Sequence, residues 1–133
     1  MLTKTSIMNE KFVEINLDEE NRIIKAQWIG YLRPDDVKVG CGKMTEIVSR
    51  NRISKHISDQ TQLKVLSKEV QAYLTEEWFP EIVRAGLKKI AIIIASDIFA
   101  QVTVSNVNTK AGNLQICAFH SEVDAIKWLN ETI

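Results

Sequence analysis

The stretch WFPEIVRAGLKKIAIIIASDIFA, residues 78–100, decides the fold. Ile82 and Val83 complete an apolar helical face begun by Val70, Tyr73, Leu74 and Trp78, at the three- and four-residue spacing of a helix packed on one side. Pro80 falls inside that pattern. It has no N–H and crowds the carbonyl four residues back, so a kink near Phe79 or two abutting helical pieces is expected. Gly86 supplies the C-terminal stop. The run Ile90-Ala91-Ile92-Ile93-Ile94-Ala95 is apolar at every position. A strand apolar on both faces belongs in the middle of a sheet, with helices covering each side. Ser96 and Asp97 then turn the chain into a short helix through Ile98, Phe99 and Val102.

Towards the N-terminus, residues 1–10 read as a polar lead-in and residues 11–133 as a single domain. Val13, Ile15 and Leu17 alternate with Glu14 and Asn16 as a half-buried strand. The turn at Asp18-Glu19-Glu20-Asn21 leads to a second strand carrying Ile24, Ala26 and Trp28, which makes an antiparallel hairpin. Pro34-Asp35-Asp36 opens a helix, with proline tolerated in the first turn and carboxylates at the positive end of the dipole. Its apolar stripe is Val37, Cys41, Met44, Ile47 and Val48, and its Gly40 and Gly42 point to close packing on the sheet or the approach of a ligand. A third short strand is expected over 53–57, a loop over 58–66, and a helix capped by Ser67.

Beyond the central strand, 106–113 reads as loop and 114–119 as a fifth strand. Ser121-Glu122-Val123-Asp124 resembles a capping box for a last helix with Val123, Ile126, Trp128 and Leu129. The order predicts an α/β fold: a five-stranded mixed, mostly parallel sheet with an N-terminal antiparallel hairpin and about four helices.

Seventeen basic residues balance seventeen acidic ones over 133 positions. That balance argues against a dedicated nucleic-acid surface. No apolar run is long enough to span a membrane or serve as a signal peptide, so no membrane insertion and a cytoplasmic location are expected. Cys41 and Cys117 each sit in an apolar pattern and read as buried free thiols, with a disulfide or a reactive thiol as the alternatives. His56 and His120 stand apart, without metal-ligand spacing. No phosphate-binding glycine loop and no Gly-x-Ser-x-Gly elbow is present, so no cofactor, metal or catalytic residue is assigned. Glu77 and Glu81 share an outer helix face and read as solvated.

Three stretches carry a resemblance: Trp78-Phe79-Pro80 with Ala85-Gly86-Leu87-Lys88-Lys89-Ile90-Ala91, then Asp97-Ile98-Phe99-Ala100-Gln101, then Phe119 with the helix to Trp128-Leu129. Together with the element order they resemble the STAS family, the sulfate-transporter and anti-sigma-factor-antagonist domains. More narrowly, they resemble small stand-alone STAS-like proteins of Bacteroidetes-type bacteria. The family's antagonists carry Asp-Ser-Ser-Gly-Leu after the third strand, and a kinase partner phosphorylates the second serine. The matching stretch here is Asp59-Gln60-Thr61-Gln62-Leu63. Thr61 falls at the phosphorylated position and Gln62 replaces the glycine.

The resemblance implies a non-enzymatic regulatory domain that docks a protein partner, bacterial and cytoplasmic. Its docking loop would include Ser58, Asp59, Thr61 and Leu63, with Thr61 as the phosphosite. Such a phosphate would add nearly two negative charges to the docking face. The alternative is a carrier or sensor of a small apolar ligand or a nucleotide, with a pocket or interface at Trp78, Phe79 and Phe99. Ser96 and Asp97 lie beyond the carboxyl end of the central strand, where α/β sheets bind ligands, and read as a ligand or partner turn or as a helix cap. A third reading is an enzyme whose site joins Asp59, Asp97 and His120. Exposed Trp78 or Phe79 would also suit a homodimer.

Overall fold

In a computed structural model, which describes residues 4–95 and 104–131, seven strands join in one mixed sheet. They are β1 (Lys4–Asn9), β2 (Val13–Asp18), β3 (Ile23–Tyr31), β4 (Lys55–Val65), β5 (Lys89–Ile93), β6 (Ser105–Thr109) and β7 (Gly112–Phe119). Their order across the sheet is β1-β2-β3-β4-β5-β7-β6. The neighbours β3, β4, β5 and β7 run parallel, while β1, β2 and β6 are antiparallel to the strands they pair with. The apolar run at Ile90 thus lies inside the parallel centre, as its two-sided hydrophobicity requires.

The helices are α1 (Pro34–Asn51), α2 (Lys68–Tyr73), α3 (Phe79–Ala85) and α4 (Glu122–Leu129). A π-helical segment, Leu74–Trp78, joins α2 to α3 without a break, so the described residues form three helical bodies. Ser67 Oγ accepts the Val70 N–H at 3.2 Å and Ser121 Oγ accepts the Asp124 N–H at 3.2 Å, the two caps expected from sequence. α1 and the 68–85 rod cover one face of the sheet over Val13, Ile15, Ile24, Ala26, Ile90 and Leu114. The opposite face, with Ile23, Ile57, Ala91, Ile93, Cys117 and Phe119, packs with Ala125 and Leu129 of α4.

The mixed α/β architecture and the β2–β3 hairpin match the sequence reading. The count of five strands and four helices does not, nor does a mostly parallel sheet, because three of the six strand pairings are antiparallel. The lead-in at 1–10 contains β1, an exposed edge strand on β2 in which only Ile7 and Met8 are half-buried. The loop expected over 58–66 is the outer half of an eleven-residue β4. The loop expected over 106–113 is largely the β6–β7 hairpin, turning at Lys110 and Ala111. The short helix expected from Ile98 lies outside the described residues.

Gly40 and Gly42 sit on the same helix in different surroundings. A Cβ on Gly40 would meet Trp28 Cη2 at 2.8 Å, whereas one on Gly42 would meet nothing within 4 Å. Close packing on the sheet therefore explains Gly40. Gly42→Ala should raise stability by about 1 kcal/mol through helix propensity. Gly40→Ala should fall below it by about 1–3 kcal/mol, because the Trp28 ring must move. Urea unfolding of the two variants measures the difference, and equal gains would refute the packing argument.

A candidate binding cavity between the sheet and the helices

Pro80 shapes the site. With no N–H of its own, it sits in the first turn of α3, just after the π-helical segment. There the Phe79 N–H reaches back five residues to the Leu74 carbonyl. The widened turn relieves the crowding that proline imposes on a regular helix. It also brings Trp78 inward, where the side chain is buried. Its Nε1 donates to the Cys41 carbonyl at 3.2 Å and to Thr45 Oγ1 at 3.0 Å, which ties the rod to α1. Its ring meets that of His56 edge-on, with centroids 6.0 Å apart.

His56 is 2% exposed. It projects from β4 on the face covered by the rod, and its Nδ1 lies 2.8 Å from the Ile24 carbonyl. A carbonyl can only accept, so Nδ1 carries the proton and donates it. Burial lowers the imidazole pKa to about 4, against the opposing pull of the Ile24 carbonyl. The ring is therefore neutral near pH 7, and Nε2 is left with a free lone pair.

Between the carboxyl-end half of the sheet and the helices α1 and α2 lies a cavity of about 270 Å³. Trp28, Cys41, Met44, Trp78, Phe79 and Ile92 supply much of its apolar wall. His56, Ser58 and Gln60 line it from β4 at every second position. Gln60 Nε2 donates to Ser58 Oγ at 3.3 Å. Among the described residues, no Asp, Glu, Lys or Arg lines it. Burial, with a smaller push from Glu81, drives the Cys41 thiol well above its ordinary range. It stays protonated and is no nucleophile at neutral pH.

The residues singled out from sequence separate in space. Trp78, Phe79, Ser58 and Leu63 all line the cavity. Asp59 and Thr61 do not. Asp59 Oδ1 accepts the Thr61 N–H at 3.0 Å and the Thr61 hydroxyl at 2.7 Å. Its Oδ2 faces Lys25 Nζ at 3.9 Å, and Lys25 in turn holds Glu122 at 2.6 Å. These contacts sit beside a bulge where β4 slips against β3, between the Gln27–Asp59 and Ile29–Gln62 pairs. The slip breaks the alternation, so both Gln60 and Leu63 reach the cavity.

The proposed loop of Ser58, Asp59, Thr61 and Leu63 is thus a strand segment whose members diverge. Ser96, Asp97 and Phe99 lie outside the described residues. His120 is exposed. Trp78 is no exposed dimer contact, being buried, and Phe79 is half-buried beside it.

The sequence reading does not assign His56, Gln60 or Cys41 to the site. For His56 and Gln60 the signal is their period-two spacing with Ser58, which a loop at 58–66 conceals. The two thiols are free and buried. Among the described residues, no group of three or more His, Cys, Asp or Glu could hold a metal ion, and no helix is long and apolar enough to cross a membrane. No family model, no curated protein and no solved structure matches this chain.

Proposed function

We propose that the chain is a STAS-like, non-enzymatic binding domain that holds a small, neutral, mostly apolar molecule between its sheet and its 68–85 helical rod. The observation that carries this reading is the 270 Å³ cavity with an apolar wall and no charged lining among the described residues. Pockets with aromatic walls and a few convergent polar groups are the common form of small-ligand sites.

Partner docking is the second reading, favoured by the exposure of Thr61, Gln62, Lys64 and Val65 on the outer half of β4. A phosphate on Thr61 would set nearly two negative charges against the Asp59 carboxylate that now accepts its hydroxyl, and so remodel that edge.

One experiment reads both. Native mass spectrometry of freshly purified protein is expected to show a non-covalent adduct of small-molecule mass that is lost on denaturation. Re-adding the released compound at about 100 times its Kd should stabilise the fold by about 2.7 kcal/mol. Protein free of any adduct, and unstabilised by one- and two-ring aromatic compounds, would overturn the cavity reading. The denatured mass of the same sample reports phosphate; its absence after incubation with cell lysate and ATP would count against Thr61 as a switch.

A further inference from the structure

The cavity wall contains an imidazole nitrogen that no side chain among the described residues pairs. Nδ1 of His56 is committed to the Ile24 carbonyl. Among the described residues Nε2 has no partner, yet no polar side-chain atom sealed from solvent is left unsatisfied. Nε2 therefore opens onto the cavity that His56 lines. We infer that the ligand of this cavity carries a hydroxyl or N–H group and donates it to Nε2 of His56. This inference rests on the cavity reading above and names the chemistry that the cavity selects.

Size and charge narrow the class further. An apolar protein cavity of about 150 Å³ accommodates benzene. The 270 Å³ here suits a fused two-ring molecule. A carboxylate or phosphate is disfavoured, because the His56 proton is turned away to Ile24 and no cationic side chain among the described residues lines the wall. An ammonium group is disfavoured because no carboxylate among the described residues lines the wall. The ligand class is a neutral bicyclic alcohol, phenol or heterocycle that carries an N–H. A bicyclic hydrocarbon of the same shape would leave Nε2 dry and unpaired, and sites built to pair a polar group reject analogues that lack it.

The test compares 2-naphthol, naphthalene and 2-naphthoate by calorimetry and thermal shift on the full chain. 2-Naphthol is expected to bind about 10- to 100-fold more tightly than naphthalene, and 2-naphthoate more weakly than 2-naphthol. In His56→Phe the advantage of 2-naphthol over naphthalene should vanish. Because that variant also removes the Ile24 bond and can fail to fold, a second readout uses His120→Gln. This leaves His56 as the sole imidazole of the two in the chain. Its Nε2 nitrogen resonance should shift on adding 2-naphthol and stay put with naphthalene. Equal affinities for 2-naphthol and naphthalene with an unmoved Nε2 resonance would overturn the donor inference and leave the cavity reading intact. Failure of all three compounds to bind would overturn both.

Discussion

Trp78→Ala is expected to cost the protein about 3–5 kcal/mol, the range for removing a large aromatic side chain from a packed core. Against a typical net stability of about 5–15 kcal/mol, that is a large share of the whole. Three contacts add up at this residue. Its ring is 4% exposed, within the larger of the two apolar clusters. Its Nε1 bonds two groups of α1. It also forms the wall that His56 packs against. Trp78→Phe separates them by keeping most of the apolar volume and deleting only the donor. That change should cost on the order of 1 kcal/mol for the lost hydrogen bonds. Urea unfolding followed by circular dichroism gives both numbers. A Trp78→Ala loss no greater than that of Trp78→Phe would mean that the ring fills little of the core.

Acid should weaken the fold well above the carboxylate range, and His56 is the cause. Its pKa stands at about 4 in the folded chain against an ordinary 6.5. As pH falls below 6.5, the unfolded chain takes up a proton that the folded chain refuses until about pH 4. Stability is therefore present in full above the unfolded value and lost between the two. The shift is worth about 3 kcal/mol at 1.36 kcal/mol per pH unit.

Asp18 acts in a lower window. Burial pushes its carboxyl up, but the bonds from Asn21 outweigh this, with a net lowering from 3.8. Its contribution therefore fades only below that value. Unfolding free energies measured at pH 7, 6, 5 and 4 should fall steadily in the wild type and in His120→Gln, and should stay nearly level in His56→Phe. A flat wild-type profile down to pH 4.5 would show that His56 protonates in place, with water reaching Nε2.

The parts of this fold that were legible in the sequence share one property: their signal is local. Ile90-Ala91-Ile92-Ile93 announces a central strand because both its faces are apolar. Val13, Ile15 and Leu17 announce a half-buried one because only alternate residues are. Pro34, Ser67 and Ser121 mark helix starts by chemistry contained within a single turn. Pro80 announced an interruption near Phe79, and the chain answers it with a π-helical segment.

The misread segments lacked such a signal. β1 and β6 bury little, and they exist because β2 and β7 offer them unpaired backbone groups. The outer half of β4 reads as a turn because Asp59 and Thr61 bond one another in the manner of turn residues. Nothing in the sequence near Asp59 says that β3 lies alongside.

By itself, then, the sequence determined that this protein has a parallel sheet centre with an antiparallel hairpin, covered by helices that start where their capping residues stand. Hydrophobic periodicity and capping act between residues a few positions apart, so the linear order carries them. The tertiary structure alone decided that Trp28, Cys41, His56 and Trp78 line one cavity, with His56 Nδ1 committed to the Ile24 carbonyl. Those properties arise from burial and from partners such as Ile24, 32 positions away in the chain. Only packing brings such residues together, and only the water it excludes lowers the imidazole pKa.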